Sequence, residues 1–362
     1  MQFLPLRLMV KKQKKEEVSK MKKVFLVFLV FLLTFGGALF AKDEVLIGLS
    51  VANLQLERWQ KDRDIFVDTA EKLGAKVIVQ SANNDDLLQV SQVENMMNEG
   101  ADVLVIIAHD GYIMGSVVEE AHANGIPVIA YDRLLMECDL DYYITFDPIR
   151  IGEIQAKYLV DRKPEGNYFL LGGSPTDMNA HFVREGQMNV LQPYIDSGAI
   201  KIVGDQWAKD WSMQEAMKIV ENALTATQNQ IDAIVASNDS TAGGAVEALK
   251  EQGLAGKVLV SGQDADLVAC QRVVEGTQTV TVYKPIKDIA TMAAIMAVSA
   301  AKDIHIVTNG SINNEYKEVP TFFLEPIPVD KTNIVETVIK DGFQRLEDVY
   351  KNVPKSQWPK VD

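Results

Sequence analysis

The side chains best suited to recognising a ligand stand just past runs of Val, Ile and Leu. Arg58 and Trp59 follow Val45–Val51, Asp132 and Arg133 follow Pro127–Tyr131, and Asp177 and Asn179 close the segment that begins Gly172-Gly173-Ser174. Trp207 and Trp211 follow the Gln206 region, Asn238 follows Ala233–Ala236, Asp264 follows Val258–Ser261, and Lys284 follows Thr279–Val282. Guanidinium, carboxylate and carboxamide groups are planar and can pair with adjacent hydroxyls. An indole adds a flat apolar wall. Such a set recognises a neutral ring bearing many hydroxyl groups and needs no covalent step.

Each residue also has a plainer reading. Arg58 fits a solvated cation at a helix start, and Trp59 and Trp211 fit ordinary core residues. Asn238 and Asp264 are typical helix N-caps, and Asp132-Arg133 fits a local ion pair. The functional reading rests on seven strand ends agreeing at once. Enzymatic signatures are missing: Gly172-Gly173 is only an echo of G-x-G-x-x-G, and the four histidines (His109, His122, His181, His305) form no catalytic or zinc-ligand spacing. No D-x-[DN]-x-[DN] calcium loop occurs, and no cofactor is expected.

The elements that must carry these residues alternate in type. Strands are predicted over Val45–Val51, Lys76–Gln80, Asp102–Ala108, Pro127–Tyr131, Tyr168–Leu171, Ala233–Ala236, Lys257–Ser261 and Thr279–Val282. Most are continuous apolar runs, as parallel strands buried on both faces require. Helices are predicted over Leu56–Leu73, Leu87–Asn98, Gly115–Asn124, Ile149–Leu159, Gln214–Leu224, Ala242–Glu251 and Ile286–Ala301, with Gly74, Gly100, Gly125 and Gly253 just past helix ends. This rhythm predicts two doubly wound α/β lobes of parallel sheet. It stumbles around Tyr142–Pro148, which is read as the first passage between lobes. The expected lobes are 42–146 with 285–320, and 147–284 with 321–350, followed by a tail. A strand over Thr321–Val329 and a helix over Lys331–Asp341 complete the second. In open parallel sheets ligands sit outside the carboxyl ends of the strands, where the polar set lies.

Lys22 and Lys23, the apolar stretch Val24–Leu33 and the small residues Gly36, Gly37 and Ala38 read as an export signal cleaved near Ala41. Met21 heads a more typical signal than Met1, so residues 1–20 read as an upstream extension. With no cysteine near Ala41 to take a lipid, the mature chain is expected to be periplasmic. Without residues 1–41 the chain holds 28 basic and 48 acidic residues, a net charge near −20. That balance excludes nucleic acid as a partner. Cys138 and Cys270 are expected as buried thiols, with a single disulfide as the alternative.

Long stretches also carry a resemblance. They include Leu56-Glu57-Arg58-Trp59-Gln60-Lys61-Asp62-Arg63-Asp64-Ile65-Phe66-Val67, Ala130-Tyr131-Asp132-Arg133, Gly172-Gly173-Ser174-Pro175, Val203-Gly204-Asp205-Gln206-Trp207, Val235-Ala236-Ser237-Asn238-Asp239, Ser261-Gly262-Gln263-Asp264-Ala265-Asp266 and Thr281-Val282-Tyr283-Lys284-Pro285. From about Glu44 to Phe343 the chain resembles the type I periplasmic sugar-binding family of bacterial ABC importers, in particular its D-xylose-binding members. The resemblance implies two lobes joined by three hinge segments. It implies a monomer that binds a monosaccharide and hands it to a membrane permease with its ATPase. A chemotaxis receptor is a further partner that the same site could serve. Arg58, Trp59, Asp132 and Arg133 would contact the sugar from the first lobe. Asp177, Asn179, Trp211, Asn238 and Asp264 would do so from the second, and Lys284 from the hinge side. Ala108-His109-Asp110 departs from the family pattern, which more often has proline, an aromatic and an amide there. Cys138 and His181 also lie in stretches that differ.

Overall fold

The computed structural model describes residues 44–359, so the expected export signal lies outside the described residues. The first sheet begins with Val45–Val51 (β1), Ala75–Ser81 (β2), Val103–Ile107 (β3), Val128–Tyr131 (β4) and Tyr142–Phe146 (β5), all parallel. The second contains Gly166–Gly172 (β6), Ile200–Trp207 (β7), Ala233–Ala236 (β8) and Leu259–Val260 (β9), parallel in the order β7-β6-β8-β9. Thr281–Tyr283 (β10) leaves the second sheet and forms a separate ribbon. Gly310–Asn313 (β11) and Glu318–Leu324 (β12) extend the first sheet to the order β11-β12-β5-β4-β3-β1-β2.

The strand expected over Thr321–Val329 is two strands, and its first half belongs to the other lobe. Thr321 to Leu324 pair parallel with Tyr143 to Phe146 of β5. Glu325-Pro326 then interrupts the ladder, because proline has no N–H to give. Ile327–Val329 (β13) turns back antiparallel onto β10. The last crossing between lobes therefore falls at 325–326, not at 320. The other crossings lie at Asp147, between β5 and the Pro148–Val160 helix, and at Lys284-Pro285, before the Ile286–Ala301 helix. Lys331–Asp341 forms a turn followed by a π-helix over Val335–Ile339 rather than an α-helix.

Alternate residues of each central strand feed opposite layers of core. Val103, Val105 and Ile107 pack with the Glu57–Lys72 and Ile286–Ala301 helices, while Leu104 and Ile106 pack with Asp86–Asn98 and Gly111–Ala123. In the second sheet, Tyr168 and Leu170 face the Pro148–Val160 and Met178–Asp196 helices. Phe169 and Leu171 face Met213–Ala226 and Asp239–Glu251. Burial on both faces explains why these strands read as unbroken apolar runs. Cys138 and Cys270 are both buried free thiols.

Candidate ligand-binding site

The carboxyl ends of both parallel sheets open on one cleft, and helices begin there. Asp85, Asp110, Asp147, Asp177, Ser212 and Asn238 cap six of these helices, each accepting from a backbone N–H of the first turn. Short polar residues at strand ends are thus required by the local fold before any ligand is considered.

Arg58 and Trp59 ride on the first turn of the Glu57–Lys72 helix and are buried. The Arg58 guanidinium meets both oxygens of Asp132 at 3.2 Å, Asp62 Oδ2 at 3.2 Å, and Asp264 Oδ1 from the other lobe at 3.4 Å. It also lies 4.1 Å from the centre of the Trp59 ring. Burial disfavours the charge on Arg58, but Asp132, Asp62 and Asp264 outweigh it and raise its pKa. Burial likewise pushes the Asp132 carboxyl up, and Arg58, Lys284 and Arg133 together hold it below the ordinary range.

Asp132 follows β4 in the left-handed region, at φ 60°. Its carbonyl oxygen accepts from Tyr143 Oη at 2.6 Å, Thr145 Oγ1 at 3.2 Å and Asn179 Nδ2 from the second lobe. Arg133 points onward: Nη1 donates to Ala108 O at 2.9 Å, and Nε reaches Asp177 Oδ2 at 2.9 Å across the cleft. Asp132 and Arg133 are therefore not a local pair. Asp177 caps its helix and also accepts from Trp211 Nε1 at 3.1 Å; burial keeps its carboxyl above the ordinary value despite Arg133. Lys284 Nζ sits 3.0 Å from Asp264 Oδ1 and 3.6 Å from Asp132 Oδ1.

Asn238 does cap its helix. Its Oδ1 accepts from Thr241 N at 2.9 Å and Thr241 Oγ1 at 2.8 Å, which leaves the Nδ2 group as a donor. Asp264 is not a cap; Asp266 occupies the N-cap position of the Leu267–Glu275 helix. Gly173 packs so closely on the Trp211 indole that any Cβ would strike the ring. Glycine is needed there for the close approach.

Ten of the eleven residues named at strand ends line one pocket, partly open to solvent; Trp207 does not, and stacks instead on the His181 ring with centres 4.8 Å apart. Leu56 and Gln263 line the pocket as well and were not singled out. Of five buried side-chain polar atoms without a partner among the described residues, two belong to cavity residues: Trp59 Nε1 and Gln263 Oε1. Gln263 stands in the quoted Gly262-Gln263-Asp264 run at a strand end, a signal that could have marked it. A smaller pocket adjoins on the hinge side and shares Asp132, Asn179, Gln263 and Lys284. Among the charged lining residues, Arg58, Arg133 and Lys284 balance Asp132, Asp177 and Asp264. No group of three or more His, Cys, Asp or Glu among the described residues could hold a metal ion.

A family model described as periplasmic binding protein domain matches residues 47–303. The chain belongs to the periplasmic binding protein family. These proteins are solute-binding components of transport and carry out no reaction. The chain is 58% identical to a D-xylose-binding periplasmic protein of Haemophilus influenzae, over 87% of this chain and 95% of the relative. It is 57% identical to the D-xylose-binding periplasmic protein of Escherichia coli, over 84% and 93%. Among solved structures, an ABC transporter solute-binding protein of Clostridium phytofermentans with bound β-D-glucose matches at a TM-score of 0.78 and 31% identity, over 84% of this chain and 99% of that one. The two-lobe architecture of this periplasmic binding protein is thus that of sugar-bound relatives. Among the described residues no helix is long and apolar enough to cross a membrane.

Proposed function

We propose that this chain is the sugar-binding component of an ABC importer, taking D-xylose or a closely related monosaccharide between its lobes and delivering it to a membrane permease and its ATPase. The supporting observation is the cavity itself. Planar polar groups and two indoles from both lobes surround one space, their charges cancel, and Trp59 Nε1 and Gln263 Oε1 have no protein partner. A charge-balanced, hydrogen-bonding cavity suits a neutral polyol better than an ion. The names of the Haemophilus and Escherichia relatives supply the choice of xylose.

Arg58, Trp59, Asp132 and Arg133 serve the sugar from the first lobe, Asp177, Asn179, Trp211, Asn238 and Asp264 from the second, and Lys284 from the hinge. The protein acts as a monomer in the periplasm, with residues 1–41 removed as an export signal. The lobes rotate about the crossings at Asp147, Lys284-Pro285 and Glu325-Pro326 and shut on the ligand. Closure excludes water, so each hydrogen bond left unmade costs about 1–3 kcal/mol and an analogue lacking one hydroxyl is rejected. Isothermal titration against xylose, arabinose, ribose, glucose and galactose tests the reading. Xylose is expected to bind most tightly, and absence of heat with every sugar would overturn it.

A further inference from the structure

His109 follows β3, outside the residues that line the cavity, and its ring stands between carboxylates of different lobes. Nδ1 lies 2.7 Å from Asp86 Oδ1, at the start of the Asp86–Asn98 helix of the first lobe. Nε2 lies 3.0 Å from Asp210 Oδ1, in the short Lys209–Trp211 turn of the second. The side chain is buried, at 10% exposure.

Both ends of this contact are hydrogen-bonded into their own lobes. The His109 backbone N donates to Gln89 Oε1 at 3.0 Å. Gln89 Nε2 in turn donates to Ser50 Oγ at 3.0 Å and Ile107 O at 2.9 Å, which ties the imidazole to the core of the first sheet. Across the cleft, Asp210 and Trp211 both sit at φ 57°, a region that aspartate tolerates and that is strained for tryptophan. Asp210 N donates to Ser174 Oγ at 3.3 Å and Trp211 N to Ala208 O at 3.1 Å. The residue bonded to His109 is therefore the direct neighbour of an indole in the cavity wall.

We propose that His109 is a closure bridge: a positioning residue that holds the Asp210–Trp211 segment against the first lobe when the cleft is shut, and so sets how long the ligand stays bound. Rotation of the lobes leaves His109–Asp86 intact, since both lie in one lobe, and breaks His109–Asp210. A contact present in only one of two states shifts the equilibrium by its own free energy. Arg58–Asp264 and Arg133–Asp177 also span the cleft, but their side chains line the cavity and would respond to the ligand. The His109–Asp210 bridge does not, so it changes affinity without changing which sugar fits.

The inference rests on the sugar-binding reading, and its test separates the two. His109→Ala, Asp210→Ala and the double variant are compared with the unmodified protein by xylose titration and stopped-flow fluorescence. Each single variant is expected to raise koff and Kd about tenfold with kon unchanged. The double variant should bind no more weakly than either single one, and the ranking of sugars should stay the same. An unchanged koff in a folded single variant, additive losses, or an altered ranking would overturn the bridge; Asp210→Ala decides alone should His109→Ala fail to fold. If the unmodified protein binds no sugar, the functional reading fails first. Small-angle scattering of the ligand-free proteins then decides the bridge, and an unmodified particle no more compact than His109→Ala refutes it.

Discussion

Arg58 places one guanidinium within reach of three carboxylates, Asp62, Asp132 and Asp264. Two of them lie in its own lobe and orient it; the third comes from the opposite lobe and, on the proposed closure, meets it only in the shut form. Removing one partner of a buried pair leaves the other charge without compensation, at a cost of about 3–5 kcal/mol. Where the pair spans the cleft, that cost falls on the closed form and is read as lost affinity. Asp264→Ala, which strips Arg58 and Lys284 of a shared partner, and Arg133→Ala, which strips Asp177, are each expected to weaken xylose binding at least ~100-fold. Their far-UV circular dichroism should match the unmodified protein. Calorimetry showing unmodified affinity in either variant would sink the proposed site.

Helix starts at the cleft serve both fold and site, and Asn238 allows the two to be separated. Its Oδ1 holds the first turn of the Asp239–Glu251 helix through Thr241. Its Nδ2 is the group left over for a ligand. Asn238→Ser keeps a capping oxygen and loses the amide donor, whereas Asn238→Ala loses both. The Ser variant should retain stability to within about 0.5 kcal/mol, the Ala variant should lose about 1 kcal/mol, and both should bind xylose poorly. Urea unfolding and titration on the same samples check this. A Ser variant that binds normally would show that Asn238 is a cap and nothing more.

At the scale of the whole molecule, the second lobe keeps a buried acid group that the mechanism does not use. Asp239 accepts from Gln278 Nε2 at 2.7 Å, Thr281 Oγ1 at 2.8 Å and the Asp266 backbone N at 3.1 Å. Burial pushes its carboxyl from 3.8 up to about 7 against the pull of Arg272, with Asp264 adding to the rise. The folded protein then holds a proton that the unfolded chain gives up, so stability falls as pH rises from 3.8 to about 7. Asp132 has the opposite sign: its contribution is complete above 3.8 and is lost only as pH falls through its lower folded value. The midpoint of thermal unfolding should decline across the first window, and Asp239→Asn should flatten that slope. An equally steep slope in the variant would refute the assignment.

Strand runs buried on both faces are legible because burial demands apolar residues on both sides, and Val45–Val51 and Ala233–Ala236 lie where their composition puts them. Glycines just past helices are legible for a local reason too: Gly74, Gly100, Gly125 and Gly253 all carry positive φ. Less legible were β7 and the Met178–Asp196 helix. The edge strand β7 exposes Lys201, Asp205 and Gln206, and the helix carries polar residues along its length and Pro193 inside it. The two α/β lobes and a set of candidate polar and aromatic residues at strand ends were legible in the sequence by itself, since each follows from local patterning. Only the tertiary structure decided where β12 pairs, that Gln263 completes the cavity wall, and that His109 meets Asp210. These contacts join residues far apart in the chain, and no periodicity or cap encodes a distance between two lobes.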